Sequence, residues 1–144
     1  MTHLIAVQAP GKKGMSMFEL MIVMMIAAVS LPSFMQTREN YRLTAVSSDL
    51  ALNLSSARIL AITRNADVRV YIVSSTNYEL QEDTGSWTTE ESHDLPTGYT
   101  IAASTYTEFH YRGNAPPVTT FTVTNPNGLT KTVVVETSGR AYVQ

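Results

Sequence analysis

A single glutamate, Glu19, lies inside an otherwise uncharged run from Met15 to Met35 that begins straight after Lys12, Lys13 and Gly14. An ionised carboxylate within hydrocarbon costs about 3 kcal/mol or more, so an acid in such a segment marks a functional position by default. The 21 residues of the run are about enough to cross a bilayer. Three readings are open. The run is a plain transmembrane anchor, with the two lysines keeping the N-terminus cytoplasmic. It is the apolar part of a cleaved secretory signal, with Ala28-Val29-Ser30 as a small-x-small cleavage site. Or the chain is cut before the run, between Gly14 and Met15, and the run stays as a helix. Glu19 decides among them. A secretory segment gains nothing from a buried acid and an anchor is weakened by one. Only the third reading gives the carboxylate a use.

The chain divides accordingly into residues 1–14, a cleaved leader, 15–35, a transmembrane and assembly helix, and 36–144, a globular head. The head holds 109 residues, enough for one modest core. Within it, Leu43, Val46, Leu50, Leu54, Ala57 and Ala61 recur at spacings of three and four. That pattern predicts an amphipathic helix over 36–65 with one buried face. No Gly or Pro interrupts it, so it continues the membrane helix beyond a bend at Pro32.

Residues 66–144 change to short β-branched segments: 67–73, 78–81, 99–102, 106–112, 118–124, 132–136 and 140–143. Asn125-Pro126-Asn127-Gly128 is a turn signal that makes 118–136 a hairpin. Pro116-Pro117 ends the strand before it. The expected fold is therefore α+β, a long N-terminal helix packed against antiparallel sheet in a small head.

Composition excludes more than it identifies. Beyond Met35 there are eight lysines and arginines against eleven carboxylates, a net −3 that supplies little of the basic footprint nucleic acid needs. With no cysteine there is no disulfide and no thiolate chemistry. Nucleophile-elbow, zinc-protease, P-loop and dinucleotide motifs are missing, so the chain reads as a non-enzyme with no cofactor. His3, His93 and His110 are scattered and give no metal-ligand spacing; His110 reads as a strand residue. The carboxylates between Glu79 and Asp94 match no compact calcium loop and read as a solvated acidic hairpin around Gly85-Ser86. Trp87 reads as a core or edge aromatic.

Lys12-Lys13-Gly14 followed by Met-Ser-Met-Phe-Glu-Leu resembles the processing site of type IV pilins and type II secretion pseudopilins. The resemblance implies cleavage between Gly14 and Met15 by a prepilin peptidase and N-methylation of Met15. It also implies that Glu19 pairs with the N-terminal amine of a neighbouring subunit. Opposite charges attract strongly at low dielectric and each alone would be costly, so such a pair enforces register. The apolar residues from Met17 to Val29 would then carry helix–helix packing. Two departures stand out. The first mature residue is Met rather than Phe, and Pro32 comes about one helical turn early, which implies a shortened membrane segment.

The remainder resembles the GspH/FimT branch of minor pilins. The similarity lies in Leu50-x-x-x-Leu54-x-x-Ala57-Arg58, Ala61-x-x-Arg64-Asn65 and Val68-Arg69-Val70. It extends to Gly85-Ser86-Trp87, Phe121-Thr122-Val123 and Val133-Val134-Val135-x-x-x-Gly139-Arg140. This implies a structural subunit of a type IV pilus or type II secretion pseudopilus, at or near the tip and aiding filament initiation. Its partners would be other pilin or pseudopilin subunits, the prepilin peptidase and the inner membrane. The location implied is a single inner-membrane pass with the head in the periplasm, followed by incorporation in a filament.

A rival reading is a DNA receptor. Some FimT-like minor pilins bind DNA for natural transformation through a C-terminal Gly-Arg-x-Arg. Here Gly139-Arg140-Ala141-Tyr142 keeps the first arginine and replaces the second by tyrosine. Arg140, with Lys131 and Arg112, supplies few phosphate contacts, and affinity scales with their number. Gly139 also reads as a turn glycine before the last strand. The third class, a secreted soluble domain, would lack the first 30 residues or so.

Overall fold

The structure is a computed structural model that describes residues 16–144, and of residues 26–36 the backbone alone. The leader and the Gly14–Met15 bond lie outside the described residues, whereas the backbone at Pro32 is described and is assigned to a helix. The chain forms two compact units, 1–36 and 37–144.

Helix α1 (Met17–Arg64) begins at Ser16, whose Oγ accepts the Phe18 N–H at 3.2 Å while Glu19 Oε2 accepts the Ser16 N–H at 3.0 Å. Ser-x-x-Glu is a capping box: each side chain satisfies an amide that the first helical turn leaves without a partner. At the other end Asn65 adopts φ +53° and the Ala66 N–H reaches back to the Ala61 carbonyl, a left-handed stop that an asparagine tolerates.

In the head, Leu43, Leu50, Leu54, Ala57 and Ala61 are buried and Val46 is half-buried, as the periodicity predicts. Ser47 lies on the same face, fully buried because its hydroxyl is satisfied by the Leu43 carbonyl one turn back, at 2.9 Å. Against this stripe stand two four-stranded antiparallel sheets. The first contains β1 (Val68–Ser74), β2 (Asn77–Asp83), β3 (Trp87–Asp94) and β5 (Thr107–Phe109) in the order β3-β2-β1-β5. The second contains β4 (Thr100–Ala103), β6 (Thr119–Thr124), β7 (Thr130–Val135) and β8 (Ala141–Val143) in the order β4-β6-β7-β8. Inward-facing Val68, Val70, Leu80 and Phe109 of the first sheet join Ile101, Phe121, Val123, Val133 and Val135 of the second. Together with the helix stripe they make one core.

Three details differ from the sequence reading. The expected strand 106–112 shrinks to Thr107–Phe109, because residues 110–114 close a turn: the Gly113 N–H donates to the His110 carbonyl and the His110 N–H to Asn114. The acidic hairpin is present, turning at Gly85 with φ +97°, but its second arm is a full eight-residue edge strand, β3, with no apolar alternation to announce it. Nor is the hairpin wholly solvated. Glu82 is buried, and both it and Glu90 pair with the Arg64 guanidinium in the last turn of α1. Those two carboxylates, Glu90 foremost, hold the Arg64 guanidinium protonated more firmly than an ordinary arginine.

Candidate functional site

At the N-terminal end, the side chains from Ser16 to Met25 are all exposed, among them Met17 at 90% and Phe18 at 73%. A helix apolar on every side is ordinarily buried in a bilayer or between other helices. Among the described residues no helix is long and apolar enough to cross a membrane; most of the expected span at 15–35 falls on residues outside that description. Gly14 and Met15, the expected processing site, lie outside it too. Glu19 is described, and its carboxylate already has a local task as the second half of the capping box. The sequence reading gave Glu19 only an intermolecular use, although Ser16-x-x-Glu19 ahead of an apolar run is a legible helix-start signal.

The three candidate cations do not form one patch. Gly139, at φ +78°, lies so close to the Gly113 carbonyl that a Cβ there would stand 1.9 Å from its oxygen. This backbone contact places Arg112 and Arg140, each next to one of the glycines, on neighbouring turns. Both are exposed, Arg112 over the Tyr111 ring at 5.3 Å and Arg140 over Tyr142 at 6.0 Å. Lys131 stands apart. The Glu136 N–H bonds to the Arg140 carbonyl, and Lys131 lies five residues back along β7, roughly 17 Å away. It also shares its parity with the buried Val133 and Val135, so it belongs to the other face of the sheet.

Two arginines of the helix motif anchor α1 to the strands and turns around it. Arg58 Nε donates to the Gly113 carbonyl at 2.8 Å, tying α1 to the turn after β5, and Arg64 ties it to the acidic hairpin. Ala57 and Ala61 lie on the buried face, where small side chains let the sheets approach, while Arg58 is half-buried and Arg64 exposed. These are packing positions, not ligand-binding ones.

His93 stacks on Tyr78 with ring centroids 5.1 Å apart. His110 sits just past β5, not within it, and its Nδ1 lies 3.0 Å from Asp67 Oδ2 and 3.7 Å from Glu108 Oε1. The sequence reading assigned no metal ligand. Asp67 and His110 are 43 residues apart, and only the β1–β5 pairing, Val68 opposite Phe109, brings them together.

A long helix whose outer half is covered by two antiparallel sheets while its first turns present bare apolar side chains defines a pilin-like subunit. FimU, a type IV minor pilin of Pseudomonas aeruginosa strain PAO1, superposes with a TM-score of 0.61 at 16% identity, over 74% of this chain and 90% of that one. EpsH, a minor pseudopilin from the type 2 secretion system of Vibrio cholerae, gives a TM-score of 0.61 at 12% identity, over 71% and 95%. At such identities the likeness is one of fold. No curated protein matches by sequence. The profile described as type II transport protein GspH matches residues 47–139, more than half of the chain, and the chain therefore belongs to the GspH family. This is a family of structural pilin and pseudopilin subunits, not of enzymes. Its members assemble with other such subunits and face the periplasm from the inner membrane.

Proposed function

We propose that the chain is a minor subunit of a type IV pilus or type II secretion pseudopilus, cut between Gly14 and Met15, methylated on Met15, and set in register by Glu19. The observation that carries this is a helix start with exposed apolar side chains and one oriented carboxylate, joined in sequence to a GspH-type head. On this reading residues 1–14 are the leader removed by a prepilin peptidase. Residues 15–35 cross the inner membrane with the N-terminus cytoplasmic, and 36–144 form the periplasmic head. Placement at or near the filament tip, with a part in initiation, is supported by the likeness to minor pilins and pseudopilins.

Two measurements test it. Mass spectrometry of membrane-derived protein should find a peptide starting at Met15 with one added methyl group. Glu19→Ala should leave that peptide in place while removing the subunit from isolated filaments; filaments containing the variant at normal level would defeat the assembly role. A deletion strain scored for surface motility and for exoprotein release separates pilus from pseudopilus.

A second reading, DNA binding for uptake, is favoured by one observation: Arg112 and Arg140 sit on touching turns, each over a tyrosine. Two phosphate contacts predict a salt slope of only about −2. Binding at low salt that Arg140→Ala removes would support it, and no binding at low salt would end it.

A further inference from the structure

We propose that Asp67, Glu108 and His110 form a binding site for a divalent transition metal of the zinc class. One oxygen from each carboxylate and one imidazole nitrogen lie within 4.8 Å of one another. Nδ1 of His110 is 3.0 Å from Asp67 Oδ2 and 3.7 Å from Glu108 Oε1. A tetrahedral ion with bonds of about 2.0–2.2 Å sets its ligands roughly 3.3–3.5 Å apart. The two separations from His110 bracket that spacing and the Asp67–Glu108 separation is within 4.8 Å, so small rotations of Glu108 and His110 toward the fixed Asp67 close the three donors around an ion.

The backbone fixes the arrangement. Asp67 comes from the α1–β1 junction, Glu108 from β5 and His110 from the turn that follows, and the β1–β5 register holds all three at one sheet edge. Asp67 cannot swing, because its Oδ1 accepts the Tyr111 N–H at 3.0 Å while Oδ2 faces the imidazole. Such an outer hydrogen bond is what orients a metal-bound carboxylate.

Charge points the same way. Two carboxylates converge on His110, and among the described residues no lysine or arginine is within ion-pair distance of either. Arg69, opposite Glu108 in the register, turns away, donating to Gln81 at 2.8 Å and lying 4.2 Å over the Trp87 ring. A dication would neutralise the pair. The donor set selects among dications: one imidazole with two carboxylates suits zinc, whereas calcium needs six to eight oxygens. The three side chains are 35%, 31% and 24% exposed for His110, Asp67 and Glu108, which leaves one side open for a water or a further ligand. A bound ion would clamp the three-residue edge strand β5 to the start of β1. None of this depends on the filament reading.

The test uses the full chain in detergent, stripped with a chelator and then titrated with zinc sulfate. Expected are one zinc retained per chain after desalting, a higher melting temperature, and no competition by calcium chloride. Glu108→Gln and His110→Gln should each weaken zinc binding by at least about 100-fold, the upper end of what loss of an outer partner costs. Glu108→Gln alters charge without shape, so its metal-free melting temperature should stay near wild type and show that the fold is intact. Failure of the wild-type chain to retain stoichiometric zinc overturns the proposal. So does unchanged zinc binding in either variant.

Discussion

Two stretches of the same helix have opposite fates. From Met17 to Met25 apolar side chains point in every direction and all are exposed, whereas from Leu43 to Ala61 one stripe of them is buried and only Leu52 and Ile59 among the large ones stand exposed outside it. Both are helical and both are rich in apolar residues, so propensity does not separate them. Periodicity does. A stripe can be covered by the chain's own sheets, but a helix apolar all round needs surroundings that no sheet of this size supplies. The contrast teaches that the head is stable through its own packing, while the first turns wait for something outside the chain.

The comparison is broken most severely in the head. Gly139→Ala puts a Cβ against the Gly113 carbonyl and forces a left-handed backbone on alanine. We expect a loss of about 4 kcal/mol or more, read as a fall of over ~15 °C in the melting temperature of the full chain in detergent. Leu54→Ala, at a fully buried position, should cost about 3 kcal/mol in urea unfolding.

High pH gives a graded version. Burial, before any other cause, pushes Tyr78 and Tyr99 above the ordinary tyrosine value of 10.0, although the Asn53 amide donating to Tyr78 Oη offsets part of it. The folded chain therefore holds these protons more tightly than the unfolded one. The resulting stability is complete below pH 10 and is lost as pH rises through the folded-state values. Melting temperatures between pH 8 and pH 11 should stay level and then fall, and Tyr78→Phe should soften that fall.

Substitutions in the first turns should barely register in head unfolding. Ser16→Ala removes a helix cap worth about 1 kcal/mol, to be read as faster amide exchange at residues 17–20 with an unchanged head. Met21→Ser, at an exposed side chain, should change head unfolding by less than about 0.5 kcal/mol. A large effect from either would mean that the two stretches are energetically joined.

The helix stripe was legible because spacings of three and four admit little else, and the 118–136 hairpin because Asn-Pro-Asn-Gly leaves few other turns. β3 was not legible. Trp-Thr-Thr-Glu-Glu-Ser-His-Asp carries no buried face, and its strand comes from pairing with β2, a partner effect that local pattern cannot announce. The same holds for Asp67 with His110 and for Arg58 with Gly113, each pair joined only after the sheets form. Gly139 was half legible. Its turn conformation follows from the sequence context, but its contact with Gly113 across the fold does not.

The capping bond from Ser16 to Glu19 has a consequence for timing. A glutamate in water samples many rotamers, and fixing one costs on the order of 1.5–2 kcal/mol in lost freedom. Here that freedom is already given up inside a single chain, because Oε2 is held by the Ser16 N–H. If Glu19 meets a neighbour's amine as proposed, its second oxygen is a set acceptor instead of a moving one, and the backbone amide of residue 16 shapes that encounter without touching the partner.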